Sequence, residues 1–173
     1  GGIAYQIYPD TFYRKNLPDE FKDKVVDWNA PPKWWPDEDG EYYNDQYYGG
    51  TIEGIIEKLP YIKKLGVTAI YCCPILKSGS SNRYDTIDYF AVDPILGDWD
   101  KLKRLHEEAN KLGMSLGLDV VINHSSILNG LLKEKPHLYK WEKWIYAGTL
   151  QSSRVSCPEP FFHGNSGTCS RFL

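Results

Sequence analysis

Two helix signals, each running straight into a β-prone stretch, constrain this chain more than any other feature. Ile52, Ile55, Ile56, Leu59, Ile62 and Leu65 recur at helical spacing, Thr51 stands where a cap belongs, and Gly66 stands where a helix stops. The following run, VTAIYCC at 67–73, is almost continuously apolar and halts at Pro74, as a strand covered on both faces would. The pattern then repeats. Asp98 can cap a helix with Trp99, Leu102, Leu105, Ala109 and Leu112 on one face, Gly113 ends it, and SLGLDVVI at 115–122 is a third strand. Upstream, IAYQIY at 3–8 is the first, closed by Pro9 and Asp10. Strand, helix, strand, helix, strand with crossovers of this length means parallel strands and an α/β fold. Order alone leaves a barrel and an open doubly wound sheet both standing.

The segments after the strands are far longer than those after the helices, and in both architectures ligands bind at the strands' C-terminal ends. Residues 10–50 hold no sustained period and include Pro18, Pro31, Pro32, Pro36 and Gly40, which reads as a long functional loop. Trp28, Trp34, Trp35, Tyr42, Tyr43, Tyr47 and Tyr48 crowd there and argue against disorder. A second loop is expected from 75 to 97. Charge excludes other classes: Lys+Arg 20 against Asp+Glu 23 gives −3 with no basic block, so a nucleic-acid partner is not expected. No stretch approaches the roughly 18 apolar residues of a membrane span, and the start lacks a secretory-signal pattern, so a cytoplasmic location is the expectation. Cys72 and Cys73 are adjacent on a strand and suit packing; only Cys157 and Cys169 could pair, and no double CxxC marks a metal site.

The strand-end residues carry more. IAYQIYPDTF, YYGGTIEGIIEKLPYIKKLGVTAIYCCPIL, RYDTIDYFAVDPILGD and GLDVVINHSS, in this order and spacing, resemble the alpha-amylase family of glycoside hydrolases, in its neopullulanase and cyclomaltodextrinase branch. The resemblance covers residues 3–146. It implies a partial (β/α)8 TIM barrel: the first three strands plus the start of the excursion after strand three. It also implies an α-glucan substrate. By the same resemblance, Tyr84 is a stacking platform for the sugar at the cleavage point and His124 a hydrogen-bond donor to it. Asp85 is then the neighbouring acid of the pocket wall, and Asp119 and Asn123 are structural residues at the site. Asn123 is also a calcium ligand in many members, although no cofactor is required in this branch. A sugar's C–H face packs on an aromatic plane, which is the chemistry a tyrosine supplies there. His124 alone would be an ordinary hydrogen-bonded histidine; preceded by DVVIN at a strand end, it reads as a site residue. The aromatic loop could line an outer subsite or simply pack onto the barrel.

Two departures shape the expectation. Asn82 stands where members commonly carry a histidine. The catalytic carboxylates of the family, an aspartate after strand four and a glutamate after strand five, about 5–5.5 Å apart in a retaining pair, match no residue here. A full barrel needs about 250 residues. The chain is therefore expected to be the amino-terminal part of a catalytic barrel (1–146) followed by a divergent tail (147–173), frame-shifted or truncated, and inactive without the carboxy-terminal part. The competing expectation is a non-catalytic binding protein on the same scaffold.

Overall fold

A computed structural model describes residues 1–33, 35, 38, 45–140 and 168–172. Its centre is a parallel sheet of β1 (Ala4–Ile7), β2 (Ala69–Cys72) and β5 (Ser115–Leu118), in the order β1-β2-β5. Ala4 pairs with Ala69 and Ile7 with Cys72; Ala69 in turn pairs with Ser115 and Cys72 with Leu118. Helices α2 (Ile52–Lys64) and α3 (Trp99–Lys111) supply the two crossovers. Both begin as the caps require: Thr51 Oγ1 accepts from Gly54 N at 3.0 Å, and Asp98 Oδ1 accepts from Lys101 N at 2.8 Å. The core lies between these helices and one face of the sheet, where Ile7, Ile70 and Cys72 meet Ile52, Ile55, Leu59, Ile62, Leu102 and Leu105. The other face carries Gln6 and Tyr71, both exposed, as the inner wall of a partial barrel.

Three differences from the sequence reading have physical causes. The third strand ends at Leu118 rather than 122. Asp119 N still donates to Cys72 O at 2.8 Å, but β2 stops there before Pro74, so nothing continues the ladder and Val120 and Ile122 are 50% and 70% exposed. The expected loop from 75 to 97 is instead built on an antiparallel hairpin of β3 (Leu76–Ser78) and β4 (Thr86–Val92). Its β-branched and aromatic residues carried the strand propensity, but register shifts in the pairing break the alternation that would have revealed it. The long loop after β1 contains a short helix α1 (Pro9–Phe12) and a 3-10 turn (Asp19–Lys24).

Downstream lie β6 (Ser125–Ser126), α4 (Gly130–Glu134), a 3-10 turn (Pro136–Leu138), β7 (Tyr139–Lys140) and β8 (Thr168–Phe172). β8 pairs antiparallel with both β6 and β7, a strand that the aperiodic tail did not announce. The boundary at 146/147 falls outside the described residues, as does Cys157 and with it the disulfide expectation. Among the described residues no helix is long and apolar enough to cross a membrane.

Gly54 shows how closely the first loop seats on α2. A Cβ at this helical position would collide with the backbone carbonyl of Tyr13. Alanine normally favours a helix interior over glycine by about 1 kcal/mol; here Gly54→Ala is expected to destabilise by about 1–3 kcal/mol, since overpacking outweighs propensity. Chemical denaturation measures it, and a stabilised variant would contradict the packing.

Candidate functional site

The strand ends converge on a buried arginine. Arg83, 1% exposed, takes a left-handed backbone conformation (φ 60) that non-glycine residues seldom adopt. Its Nε donates to Asp93 Oδ2 at 3.0 Å and its Nη1 to Ser81 O at 2.7 Å, while Nη2 lies 3.7 Å from Asp10 Oδ1 as an ion pair. Asp10, also buried, accepts from Tyr48 N at 2.8 Å and Gly49 N at 3.3 Å. One guanidinium thus joins the end of β1, the close of the first long loop and the end of the hairpin. Burial pushes the Asp10 carboxyl up, the Arg83 charge opposing it, and burial raises the Tyr8 and Tyr47 phenols to about 12.

Tyr84 follows directly and is half-buried. Its hydroxyl donates to Asp119 Oδ2 at 2.8 Å, so this tyrosine on the hairpin and the acid after β5 are one unit. Burial, then the hydrogen bond to Asp119 and its charge, hold the Tyr84 phenol well above its ordinary range. Tyr71, on the inner face of β2, is raised chiefly by the neighbouring Asp119 carboxylate. Gln6 Nε2 reaches Cys73 Sγ at 3.3 Å on the same wall.

Asp85 points away from this unit. It is 3% exposed and accepts from Gly79 N and Ser80 N, each at 3.2 Å, and from Ser80 Oγ. It fixes the loop that carries Tyr84. Asn82, in the position where a histidine was expected, accepts from Ser80 Oγ at 2.8 Å and Tyr84 N at 3.0 Å, a turn-closing role suited to a short amide. His124 is half-buried on the segment after β5, beside exposed Asn123. Asn123 Nδ2 lies 3.2 Å from His124 Nδ1. The side-chain amide thus lies against one nitrogen of the imidazole. Among the described residues no group of three or more His, Cys, Asp or Glu gathers that could hold a metal ion. Asn123 therefore has no such company there.

In the aromatic loop, Tyr47 hydroxyl donates to Gly79 O at 3.1 Å and Tyr48 hydroxyl to Ala30 O at 3.0 Å, and Trp28 meets Tyr48 edge to face. Trp35 is 64% exposed. Trp34, Tyr42 and Tyr43 lie outside the described residues. The sequence reading missed Arg83, Asp10, Asp93, Tyr71, Cys73 and Tyr89 as participants. Arg83 between two flanking site motifs was the available signal; the others are joined only by the fold.

The family model for the alpha amylase catalytic domain matches residues 6–160. Neopullulanase 2 of Thermoactinomyces vulgaris is 40% identical over 161 residues, covering 89% of this chain and 25% of that protein. An intracellular maltogenic amylase of Bacillus subtilis (strain 168) is 39% identical over 122 residues, covering 70% of the chain and 19% of the relative. The type III pullulan hydrolase from Thermococcus kodakarensis superposes with a TM-score of 0.66 at 32% identity, over 99% of this chain and 32% of that one. The chain thus spans about a quarter or less of the length of these curated relatives.

Asp119→Asn removes the charge that opposes ionisation of Tyr84, so the Tyr84 phenol should titrate at lower pH than in the unaltered protein. Phenolate absorbance followed through an alkaline titration reads it; an unmoved curve would separate Tyr84 from Asp119.

Proposed function

Because this chain belongs to the alpha-amylase catalytic-domain family, we propose that it forms the first part of a retaining glycoside hydrolase barrel acting on α-glucosidic linkages in maltooligosaccharides, cyclodextrins or related glucans. The observation that carries the reading is the Tyr84–Asp119 unit at the strand ends with His124 on the adjoining segment. Tyr84 offers a ring held in place by its own hydroxyl, suited to the C–H face of a sugar. His124 hydrogen-bonds a sugar hydroxyl as charge develops at the anomeric carbon. Asp85 acts through the loop it braces, as the wall under Tyr84. Asn123 lies against the imidazole and helps to orient it.

The nucleophile and the acid/base are assigned to no residue of this sequence; in this reading they come from later strands of the same barrel, and the 173-residue chain is inactive by itself. A calcium ion at Asn123 would need its remaining oxygen ligands from elsewhere. A cytoplasmic location is supported by the relative named as intracellular.

In the full-length protein carrying this sequence, His124→Ala should lower kcat/KM on a maltooligosaccharide by roughly 10²-fold, the cost of losing a hydrogen bond that strengthens in the transition state. Tyr84→Ala should act mainly through KM. An unchanged rate for His124→Ala would remove that residue from the site. The isolated chain should release no reducing sugar from cyclodextrin, and measurable turnover would show that it contains its own catalytic acids. Glucan binding by the full-length protein without any turnover would instead favour a non-catalytic scaffold.

A further inference from the structure

Beyond Leu118 the chain runs without a ladder through 119–124, yet this segment must present His124. What holds it is on another element. Tyr89 lies in β4, half-buried, and its hydroxyl is 2.8 Å from Val121 O and 3.0 Å from His124 O. A phenol has one proton to donate, so this one is shared between two carbonyls three residues apart. Between them stand Ile122 and Asn123, both exposed. Nearby, Asn129 Nδ2 donates to Thr86 O at 3.2 Å, a second tie from the downstream segment to β4. β4 is itself anchored: it pairs with β3, and Asp93 just past its end donates its N–H to Ile75 O at 2.8 Å and accepts from Arg83.

We propose that Tyr89 is a positioning residue whose hydroxyl staples the backbone of 121–124 and so sets the place of His124. It touches no sugar. The two carbonyls bracket the stretch that ends in His124, so the hydroxyl fixes the backbone from which the imidazole projects, before regular pairing begins again at Ser125. A displacement of about 1 Å at a group contacting the reacting sugar can cost up to about 10²-fold in rate, so a single hydroxyl remote from the substrate has leverage. The kinetic part of the inference rests on the reading of His124 given above; the structural part does not.

The test uses Tyr89→Phe, which keeps the ring, in the full-length protein, with hydrogen exchange, kinetics and the double variant with His124→Ala. Amide exchange in a peptide spanning 120–126 should rise about fivefold, the scale of one lost hydrogen bond, while peptides from α2 and α3 stay as they were. Turnover should fall about tenfold with KM changed less than about twofold, and the double variant should be no slower than His124→Ala alone. Unchanged exchange at 120–126 would overturn the staple whatever the kinetics. A rise spread equally over α2 and α3 would also overturn it, since the hydroxyl would then serve the whole fold. Losses that multiply in the double variant would overturn the route through His124. If His124→Ala alone leaves turnover intact, the functional reading fails, while the exchange data still decide on the staple.

Discussion

The strand ends of this protein depend on one buried guanidinium. Arg83 brings Asp10 and Asp93 together across three segments that are distant in the chain, and all three side chains are essentially removed from water. Breaking a buried pair costs about 3–5 kcal/mol because the orphaned charge cannot be resolvated, so each of these residues constrains the others. The arrangement has direction as well as strength. Asp10 uses its remaining lone pairs on Tyr48 N and Gly49 N, which closes the long first loop against the end of β1. Gly50 then passes so near the Pro9 and Asp10 carbonyls that a Cβ there would collide with them. The left-handed backbone at Arg83 turns the chain so that the arginine enters the interior while the next residue, Tyr84, faces Asp119. Strain of that kind persists where its surroundings over-determine it.

From this anchor the site is assembled by hydrogen bonds between elements. Asp119 accepts from Tyr84 at 2.8 Å, and its charge adds to burial in raising that phenol. The hairpin therefore makes two ties: through Tyr84 to Asp119, and through Tyr89 to the segment that carries His124. Asp85 and Asn82 hold the turn between these functions by closing it on its own backbone.

The parallel frame was legible in the sequence because its signals are local. Thr51 and Asp98 cap the helices they were expected to cap, Gly66 and Gly113 take positive φ after them, and the core takes most of the apolar face read from the helical period, with Leu65 and Trp99 left exposed at the helix ends. Of the residues that the strand-end motifs singled out, the structure joins Tyr84 to Asp119 directly. Lost to the sequence was whatever long-range pairing decides. The hairpin was hidden by its register shifts, and strand three was overextended because Val120 and Ile122 have strand propensity but no partner once β2 ends at Cys72. The partners of Arg83 could not be read either, since residues 10 and 93 become neighbours only after the sheet is formed.

In the function proposed, these strand-end loops form a sugar-binding wall. The most direct measurement is a crystal structure of the full-length protein with a bound maltooligosaccharide. It should show one glucose ring lying with its C–H face over Tyr84, with a hydroxyl about 3 Å from His124 Nε2 and the Tyr84–Asp119 bond retained. Sugar bound elsewhere in the barrel, with Tyr84 and His124 both out of contact, would contradict it.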